Sequence, residues 1–483
     1  MPFIDPGLND LDRLFPGDFG PEKTAQAKTL LLKNLSLAVH RYYGGKTQIV
    51  PRCGLYGLNW FNLWYTPGVS AVSTAIRDNP DASFELSSRG NLVAVVSDST
   101  RVLGDGDCGP SGGLGVMEGK ALLMKYLGGI DAVPLCVDSR NAEGKNDPEK
   151  IIELVKMLQH SFGAINLEDI SQPNCFRVLD ELRETCDIPV WHDDAQGTAC
   201  VTLAALINAL KLAGKTMGEA RFVLLGAGAS NTTIARLILA SGGDPGRMIV
   251  FDTKGSLHPG REDIRGDTRN YRKWEICERT NPGRAASIGE AMKGADVLIA
   301  LSSPGPGTVK REWVRSMAEG AIVFACANPV PEIWPYAAKE EGAFIVATGR
   351  GDFPNQVNNS VCFPGILKGV LAVRARKISD GMAIRCARSI AEFSERRGIT
   401  PDNIIATMEE TDVFAREAAD VAREAVKEGL ARIDRSWDDV YRQAGADIAA
   451  ARSLAEDMQR LGHISEPPQA LLEEALKKTL AAL

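Results

Sequence analysis

Short apolar runs without polar interruptions recur along this chain, and helical patterns separate them. Leu92–Ser97 and Ala164–Leu167 are examples in the first half, and residues 221–226 and Met248–Asp252 are examples in the second. A strand that is apolar on both faces must be covered on both faces, which a parallel sheet between helices provides. The pattern therefore predicts an α/β protein with mainly parallel sheets.

The composition narrows the class of protein further. The 483 residues are 44% hydrophobic and 24% charged, which is typical of a globular protein with two or three domains. The net charge of −7 argues against nucleic acid or an anionic membrane as the partner. We see no signal-peptide pattern and no apolar run of membrane-spanning length, so a cytoplasmic location is expected.

The ten cysteines are scattered singly, and no pair has CxxC spacing. This pattern is typical of small buried side chains in a reducing compartment. It predicts neither a disulfide framework nor a zinc site.

We expect three regions along the chain. Residues 1–198 would form a substrate and metal domain, 199–435 a Rossmann-like dinucleotide-binding domain, and 436–483 a helical extension. The nearly all-apolar segment 201–212 predicts a buried helix between the first two. The N-terminal helix at residues 22–43 and the leucine-rich C-terminal helix are candidates for subunit contacts.

Four acids follow two of the apolar runs. Glu168 and Asp169 come after Ala164–Leu167, and Asp193 and Asp194 come after residues 188–191. Carboxylates that converge at strand ends repel one another, so a hard cation such as Mg²⁺ or Mn²⁺ would compensate them. Helix capping is the alternative role for an acid here, but two adjacent acids in two places favour a metal.

A glycine-rich turn predicts a dinucleotide site. Gly226 would permit a tight turn after a strand, and Gly228 would let the backbone approach a pyrophosphate. Ala229 and Ser230 would open the helix whose N-terminus binds the phosphates. Asn231 replaces the third glycine of the usual fingerprint, so either the helix stands farther from the strand or Asn231 contacts the ligand. An ordinary strand–turn–helix is the alternative interpretation.

The next strand ends in an acid. Asp252 lies where a carboxylate would accept hydrogen bonds from ribose hydroxyls, and it would repel a 2′-phosphate. This favours NAD, although Lys254 nearby keeps NADP possible.

The whole pattern resembles the malic enzymes, particularly the shorter bacterial ones. The resemblance covers about residues 60–430, and eight motifs carry it in order. They are Tyr65-Thr66-Pro67-Gly68-Val69, Arg101-Val102-Leu103-Gly104, Val116-Met117-Glu118-Gly119-Lys120, Asn166-Leu167-Glu168-Asp169, His192-Asp193-Asp194, Gly226-Ala227-Gly228-Ala229, Ala327-Asn328-Pro329 and Asn355-Gln356-Val357-Asn358-Asn359.

The resemblance implies an enzyme that oxidises malate at C2 with NAD(P)⁺ and releases CO₂ to give pyruvate. It implies that Glu168, Asp169 and Asp194 bind the divalent ion. Asp193 would orient a lysine or one of these ligands.

The resemblance also assigns the acid and the base. Lys120 would be the general base at the C2 hydroxyl, with a pKa lowered by burial and the cation. Tyr65 would protonate C3 of enolpyruvate. Without the resemblance, Lys120 would be read as a surface charge, and Tyr65 could equally be a core aromatic.

Three further residues match positions that contact substrate in this family. Arg101 would grip a malate carboxylate, and Asn328 and Asn359 would also touch malate. Asp105 departs from the family pattern, and its charge could neutralise Arg101. Ala195 is a second departure, because the residue after the paired aspartates is usually polar or larger.

The sequence leaves other functions open. A malolactic enzyme would use the same residues, and a bulkier 2-hydroxy acid would fit with Asp105 and the aromatic segment 52–64. A non-enzymatic NAD-binding protein is the remaining class, although the catalytic set is complete. The family implies a homodimer or homotetramer.

Overall fold

The computed structural model describes residues 4–5, 7–284 and 287–483. The chain forms two compact units, one of residues 1–52 with 449–483 and one of residues 53–448. The domain limits at 198/199 and 435/436 stay a prediction.

The strands and helices follow in chain order. The strands are β1 (Leu92–Ser97), β2 (Asp131–Cys136), β3 (Ala164–Leu167), β4 (Val190–His192), β5 (Phe222–Leu225), β6 (Met248–Asp252), β7 (Gly255–Ser256), β8 (Val297–Ala300), β9 (Ile322–Ala325) and β10 (Ile345–Thr348). The helices are α1 (Pro21–Tyr43), α2 (Phe61–Trp64), α3 (Val69–Asp78), α4 (Ser83–Leu86), α5 (Leu114–Gly128), α6 (Pro148–Leu158), α7 (Asn174–Thr185), α8 (Thr198–Leu212), α9 (Ala229–Ala240), α10 (Glu262–Arg265), α11 (Tyr271–Arg279), α12 (Ile288–Met292), α13 (Arg311–Arg315), α14 (Pro335–Glu340), α15 (Phe363–Ala372), α16 (Asp380–Arg397), α17 (Asp412–Lys427), α18 (Trp437–Arg460) and α19 (Gln469–Ala481).

The larger unit contains two sheets. A four-stranded sheet has the order β2-β1-β3-β4 and is parallel throughout. A six-stranded sheet has the order β10-β9-β8-β5-β6-β7, and only β7 runs antiparallel to its neighbour. In the four-stranded sheet, all four residues of the apolar strand β3 are buried. The predicted α/β class with a Rossmann-like second sheet and a helical C-terminal region is confirmed.

Helices fill the core of the larger unit. α8 packs against α9 and α16, and α17 packs against α15 and α16. α8 continues a π-helical turn at Asp193–Gly197, and together they form a helix long and apolar enough to cross a membrane. Most of that helix is buried in the protein, which is typical of a core helix and agrees with the burial expected for residues 201–212.

The smaller unit has its own core. Leu31 and Leu35 of α1 pack with Leu472 and Leu476 of α19. The two helices proposed for subunit contacts therefore bury part of their apolar surface against each other. A contact of their remaining faces with another subunit stays a prediction.

Candidate active site

The predicted acids lie at the carboxyl ends of two adjacent strands. β3 pairs with β4 so that Leu167 stands opposite His192, and the acids begin at the next residue of each strand. One carboxylate oxygen from each of Glu168, Asp169 and Asp194 lies within 4.8 Å of the others. The sheet geometry thus brings together acids that are distant in the sequence.

This cluster has the donor set of a hard divalent cation. Glu168 and Asp169 are each 2% exposed, whereas the Asp194 side chain is 36% exposed. The Oδ2 atom of Asp169 is buried and has no hydrogen-bond partner among the described residues. A buried carboxylate oxygen without a partner is costly, so a cation ligated here would relieve that cost. The residues present fit the expected Mg²⁺ or Mn²⁺.

Backbone contacts hold the cluster in place. The amide of Asp169 donates to Asp194 Oδ2 at 2.8 Å, and Asp169 has a positive φ of 54°. Burial, followed by repulsion from Asp194, raises the pKa of Asp169 to about 7. The cluster is therefore electrostatically unbalanced in the absence of a cation.

Lys120 lies beside these acids. Its side chain is 11% exposed and forms ion pairs with Asp193 and with Glu168 Oε1, the latter at 3.1 Å. Its Nζ stands 4.6 Å from the ring centre of Phe363. Lys120 is thus not a solvated surface charge.

The pKa of Lys120 differs from the expectation. Burial alone lowers it, but Asp193, Glu168 and Asp194 outweigh burial and raise the pKa above its usual value. The lowering expected from the sequence included a bound cation, which would offset the charge of these carboxylates.

Asp193 is fixed between two partners. It is fully buried, and Trp191 Nε1 donates to its Oδ1 at 3.1 Å while Lys120 occupies its Oδ2. This position suits the predicted role of orienting the lysine.

Arg101 lies near the cluster and is exposed. Its amide donates to the Asp169 carbonyl at 3.0 Å, and its charge acts to lower the pKa of Asp169. Asp105, which is also exposed, forms no salt bridge with Arg101 in the described part of the chain. The predicted neutralisation of Arg101 by Asp105 is therefore not seen in this structure, and the role of Arg101 in binding malate stays a prediction.

Tyr65 lies at the end of α2 and is 70% exposed. It is not a core aromatic, which removes the alternative interpretation of this residue. The preceding aromatic segment is partly helical, and the rings of Tyr56 and Trp60 meet edge to face at 4.9 Å. Its role as the acid stays a prediction.

The two asparagines approach the cluster from the second half of the chain. Asn359 begins a short 3-10 helix, and its Cβ lies 3.4 Å from the position a Cβ would take at Gly197, just after the paired aspartates. Asn328 follows β9, and its carbonyl oxygen lies 2.9 Å from a Cβ position at Gly104. Asn359 therefore lies close to the segment that follows the paired aspartates, and Asn328 lies close to the motif that contains Arg101 and Gly104.

The dinucleotide turn has the predicted form. Gly226 has φ +98°, and a Cβ there would meet the Leu301 carbonyl at 2.3 Å, so only glycine fits. Gly228 is the N-cap of α9, and a Cβ there would meet nothing within 4 Å. Ala229 begins α9, and Ser230 Oγ donates to the Asp194 carbonyl at 2.9 Å. The turn follows the strand at which the sheet order reverses, where dinucleotides bind.

Asn231 lies inside the turn. It is fully buried, and its Nδ2 donates to the carbonyls of Leu225 and Gly226 at 3.0 and 2.9 Å. The side chain therefore ties the turn to the strand, while its Oδ1 has no hydrogen-bond partner among the described residues. Its contact with the cofactor stays a prediction.

Asp252 ends β6 as predicted, but it is already paired. Arg261 donates to its two oxygens at 3.0 and 2.9 Å, and the amide of Lys254 donates at 2.9 Å. Burial acts to raise the pKa of Asp252, but the bonds from Arg261 outweigh it and lower the pKa. The Lys254 side chain is 70% exposed and pairs with Asp263 at 3.2 Å.

Two family models match this chain. The malic enzyme N-terminal domain matches residues 58–183, and the malic enzyme NAD binding domain matches residues 195–426. A bifunctional malic/malolactic enzyme of Bacillus subtilis is 40% identical over 403 residues, which are 83% of this chain and 95% of that protein. The chain belongs to the malic enzyme family.

Solved malic enzyme structures share this fold. The malic enzyme of Entamoeba histolytica is 63% identical with a TM-score of 0.97, over 100% of this chain and 99% of that one. The malic enzyme of Pyrococcus horikoshii is 41% identical with a TM-score of 0.80, over 90% of this chain and 96% of that one.

Among the sequence relatives, an NAD-dependent malic enzyme of Geobacillus stearothermophilus is 41% identical over 81% of this chain and 79% of its own length.

Two residues that support the site were not predicted from the sequence. Asn166 donates to Glu168 Oε2 at 2.9 Å, and it lies inside a recognised motif. Glu332 is fully buried and accepts hydrogen bonds from the amides of Ser302 and Ala327 at 2.7 and 3.0 Å. It thereby joins the loops after β8 and β9, the second of which carries Asn328. No local signal marks Glu332.

Proposed function

We propose that this chain oxidises malate at C2 with NAD⁺ and releases CO₂ to give pyruvate, with Mg²⁺ or Mn²⁺ as an essential ion. One observation carries the proposal. Lys120 is buried between Asp193 and Glu168, beside three carboxylates that converge from two strand ends. A buried base next to a cation site suits proton removal from a hydroxyl group.

Glu168, Asp169 and Asp194 would hold the cation. When bound, the cation would supply positive charge for the C2 oxygen, and NAD⁺ would supply the hydride acceptor. Lys120 Nζ would take the C2 hydroxyl proton while Asp193 holds it in position. Arg101, Asn328 and Asn359 would orient malate, and Tyr65 would deliver a proton to C3.

NAD is the proposed dinucleotide, with NADP as the alternative. Asp252 would accept hydrogen bonds from the ribose and disfavour a 2′-phosphate. Arg261 weakens this argument in part, because it already neutralises Asp252. The relatives include NAD-dependent and NADP-dependent malic enzymes.

A malolactic reaction is the second candidate. The Bacillus subtilis relative is named as a bifunctional malic/malolactic enzyme and matches over nearly its whole length. The same residues would then serve a reaction in which NAD stays bound and lactate leaves.

A single assay separates these functions. Purified protein receives malate and Mn²⁺ with NAD or NADP in parallel, and reduced dinucleotide, pyruvate and lactate are measured. We expect NADH and pyruvate in equal amounts. Lactate without net NADH would assign the malolactic reaction. Binding of NAD without turnover of any 2-hydroxy acid would contradict the proposal that this chain is an enzyme.

We also propose a cytoplasmic homodimer or homotetramer. Tyr56 and Leu58, which are 79% and 83% exposed, leave apolar surface that a second copy would cover. Light scattering after size exclusion tests the oligomer, and a monomer would contradict it.

A further inference from the structure

Three thiols meet in the core of the larger unit, well apart in the sequence. Cys200 lies in α8, Cys362 precedes α15, and Cys386 lies in α16. All three are fully buried, and their sulfur atoms lie within 4.8 Å of one another. The Cys362 and Cys386 sulfurs are 3.8 Å apart, which is far beyond a disulfide bond.

A carboxyl group lies beside the cluster. Glu417 of α17 is fully buried, and its Oε2 lies 3.6 Å from the Cys386 sulfur. Its Oε1 has no hydrogen-bond partner, and no salt bridge reaches Glu417, within the described residues. A Cβ at Gly365 would lie 2.2 Å from Oε2, so the absence of a side chain there makes room for the carboxyl group.

Burial of cysteine as a small apolar side chain explains part of this arrangement. Cys277 is a buried cysteine of that ordinary kind. Apolar packing does not explain Glu417, because a carboxyl group with an unpaired oxygen is costly among thiols. A ligand that binds both sulfur and oxygen accounts for the whole set.

Two of the spacings match those of a tetrahedral zinc site. With zinc–sulfur bonds of about 2.3 Å, two sulfurs of a tetrahedron lie about 3.8 Å apart, and a zinc-bound oxygen lies about 3.5 Å from a sulfur. The observed separations are 3.8 Å between Cys362 and Cys386 and 3.6 Å between Cys386 and Glu417. Cys200 donates to the Ala383 carbonyl at 3.3 Å and would turn from it to complete the set.

We propose that Cys200, Cys362, Cys386 and Glu417 bind one Zn²⁺ ion as a structural site that joins α8, α15, α16 and α17. Four protein ligands leave no open position, so the ion supports the fold and takes no part in the reaction. Thiolates select zinc, whereas the oxygen ligands of Glu168, Asp169 and Asp194 select Mg²⁺ or Mn²⁺.

The charge and the route of binding are consistent with this site. Each coordinating thiol loses its proton to solvent as its sulfur–zinc bond forms. Cys362 is the N-cap of α15, whose positive end offsets part of the excess negative charge. Because the ligands are fully buried, the ion would enter while the chain folds.

Metal content tests the proposal directly. Protein produced in zinc-supplemented medium is dialysed against EDTA, and its zinc is counted by mass spectrometry. We expect one zinc per chain to survive, because EDTA reaches the partly exposed carboxylate site but not the thiol site. Protein from cobalt-supplemented medium should show thiolate-to-cobalt charge-transfer absorption. Substoichiometric zinc, or cobalt without that absorption, would overturn the proposal.

Variants assign the ion to these residues. Cys386→Ser should abolish retained zinc and the cobalt absorption, whereas the matched control Cys277→Ser should keep both. Glu417→Gln, which preserves shape, should shift the cobalt spectrum and lower zinc retention. Full zinc retention and an unchanged cobalt spectrum in Glu417→Gln, or full retention in Cys386→Ser, would place the ion elsewhere. The wild-type cobalt spectrum decides the question even if Cys386→Ser fails to fold.

Discussion

Both sheets present acids at their carboxyl edges, yet the two sets of acids have opposite surroundings. Asp252 of the six-stranded sheet accepts hydrogen bonds from both terminal nitrogens of Arg261, and the pKa of Asp252 is lowered. Asp169 of the four-stranded sheet has a buried oxygen without a partner among the described residues, and its pKa is raised to about 7.

This difference indicates which charge each ligand brings. A buried carboxylate oxygen without a partner, such as Oδ2 of Asp169, suits a ligand that supplies positive charge, as a divalent cation does. A paired acid suits an anionic dinucleotide, because a free carboxylate would repel its phosphates. At the edge of the six-stranded sheet, Arg261 neutralises Asp252. At the edge of the four-stranded sheet, a bound cation would neutralise the acids.

The largest effect should come from the acids of the four-stranded sheet. Asp194→Asn removes a proposed metal ligand without changing shape, so kcat/KM for malate should fall by on the order of a thousandfold. Steady-state kinetics over a Mn²⁺ series measure the loss. Asp138→Asn, which changes an exposed acid in the loop after β2, is the control and should keep full activity. Equal kinetics in Asp194→Asn would show that the cluster binds no essential ion.

Replacement of the buried base should rank next. Lys120→Met removes the proposed proton acceptor, and kcat should fall by about a hundredfold or more. Lys125→Met, on the same helix but 39% exposed beside Asp131, should leave kcat unchanged. A rise in KM alone, with kcat retained, would contradict the role as base.

Cation binding should depend on pH because burial, followed by repulsion from Asp194, raises the pKa of Asp169. Its raised pKa means that it holds a proton below about pH 7, and the cation must displace that proton. Apparent Mn²⁺ affinity should therefore fall by about tenfold per pH unit below 7 and level off above it. Calorimetric titration of Mn²⁺ across this range measures the slope, and a flat profile would refute the assignment.

The smallest effect should come from the paired acid. Asp252→Asn should raise the KM for NAD by less than about tenfold with little change in kcat, since Arg261 already offsets its charge. Kinetics with NAD and NADP in parallel test this. A thousandfold loss would mean that Asp252 acts as a free carboxylate.

The sequence predicted best those features that local pattern determines. Ala164–Leu167 is a strand with the predicted limits, because an apolar run that ends in acids leaves little choice. α5 begins at Leu114, although Gly115 and Gly119 obscure the helical pattern in its first turns. β4 begins at Val190, after Pro189, which has no amide hydrogen to contribute to a ladder.

Contacts between distant parts of the chain were beyond such patterns. Nothing near Asp252 shows that Arg261 folds back onto it, and nothing in the spacing of Cys200, Cys362 and Cys386 brings them together. The cysteines are not neighbours in the sequence, and helix packing alone brings their sulfur atoms together. The burial of Asn231 could not be predicted either, since it depends on the sheet beneath this residue.

One hydrogen bond has a thermodynamic consequence. Ser230 Oγ, in the first turn of the dinucleotide helix, donates to the carbonyl of Asp194, a proposed cation ligand. If NAD alters the affinity for Mn²⁺ through this link by any factor, Mn²⁺ must alter the affinity for NAD by the same factor. Cooperativity between coenzyme and cation would then be a property of a single serine, and its size could be read from either titration.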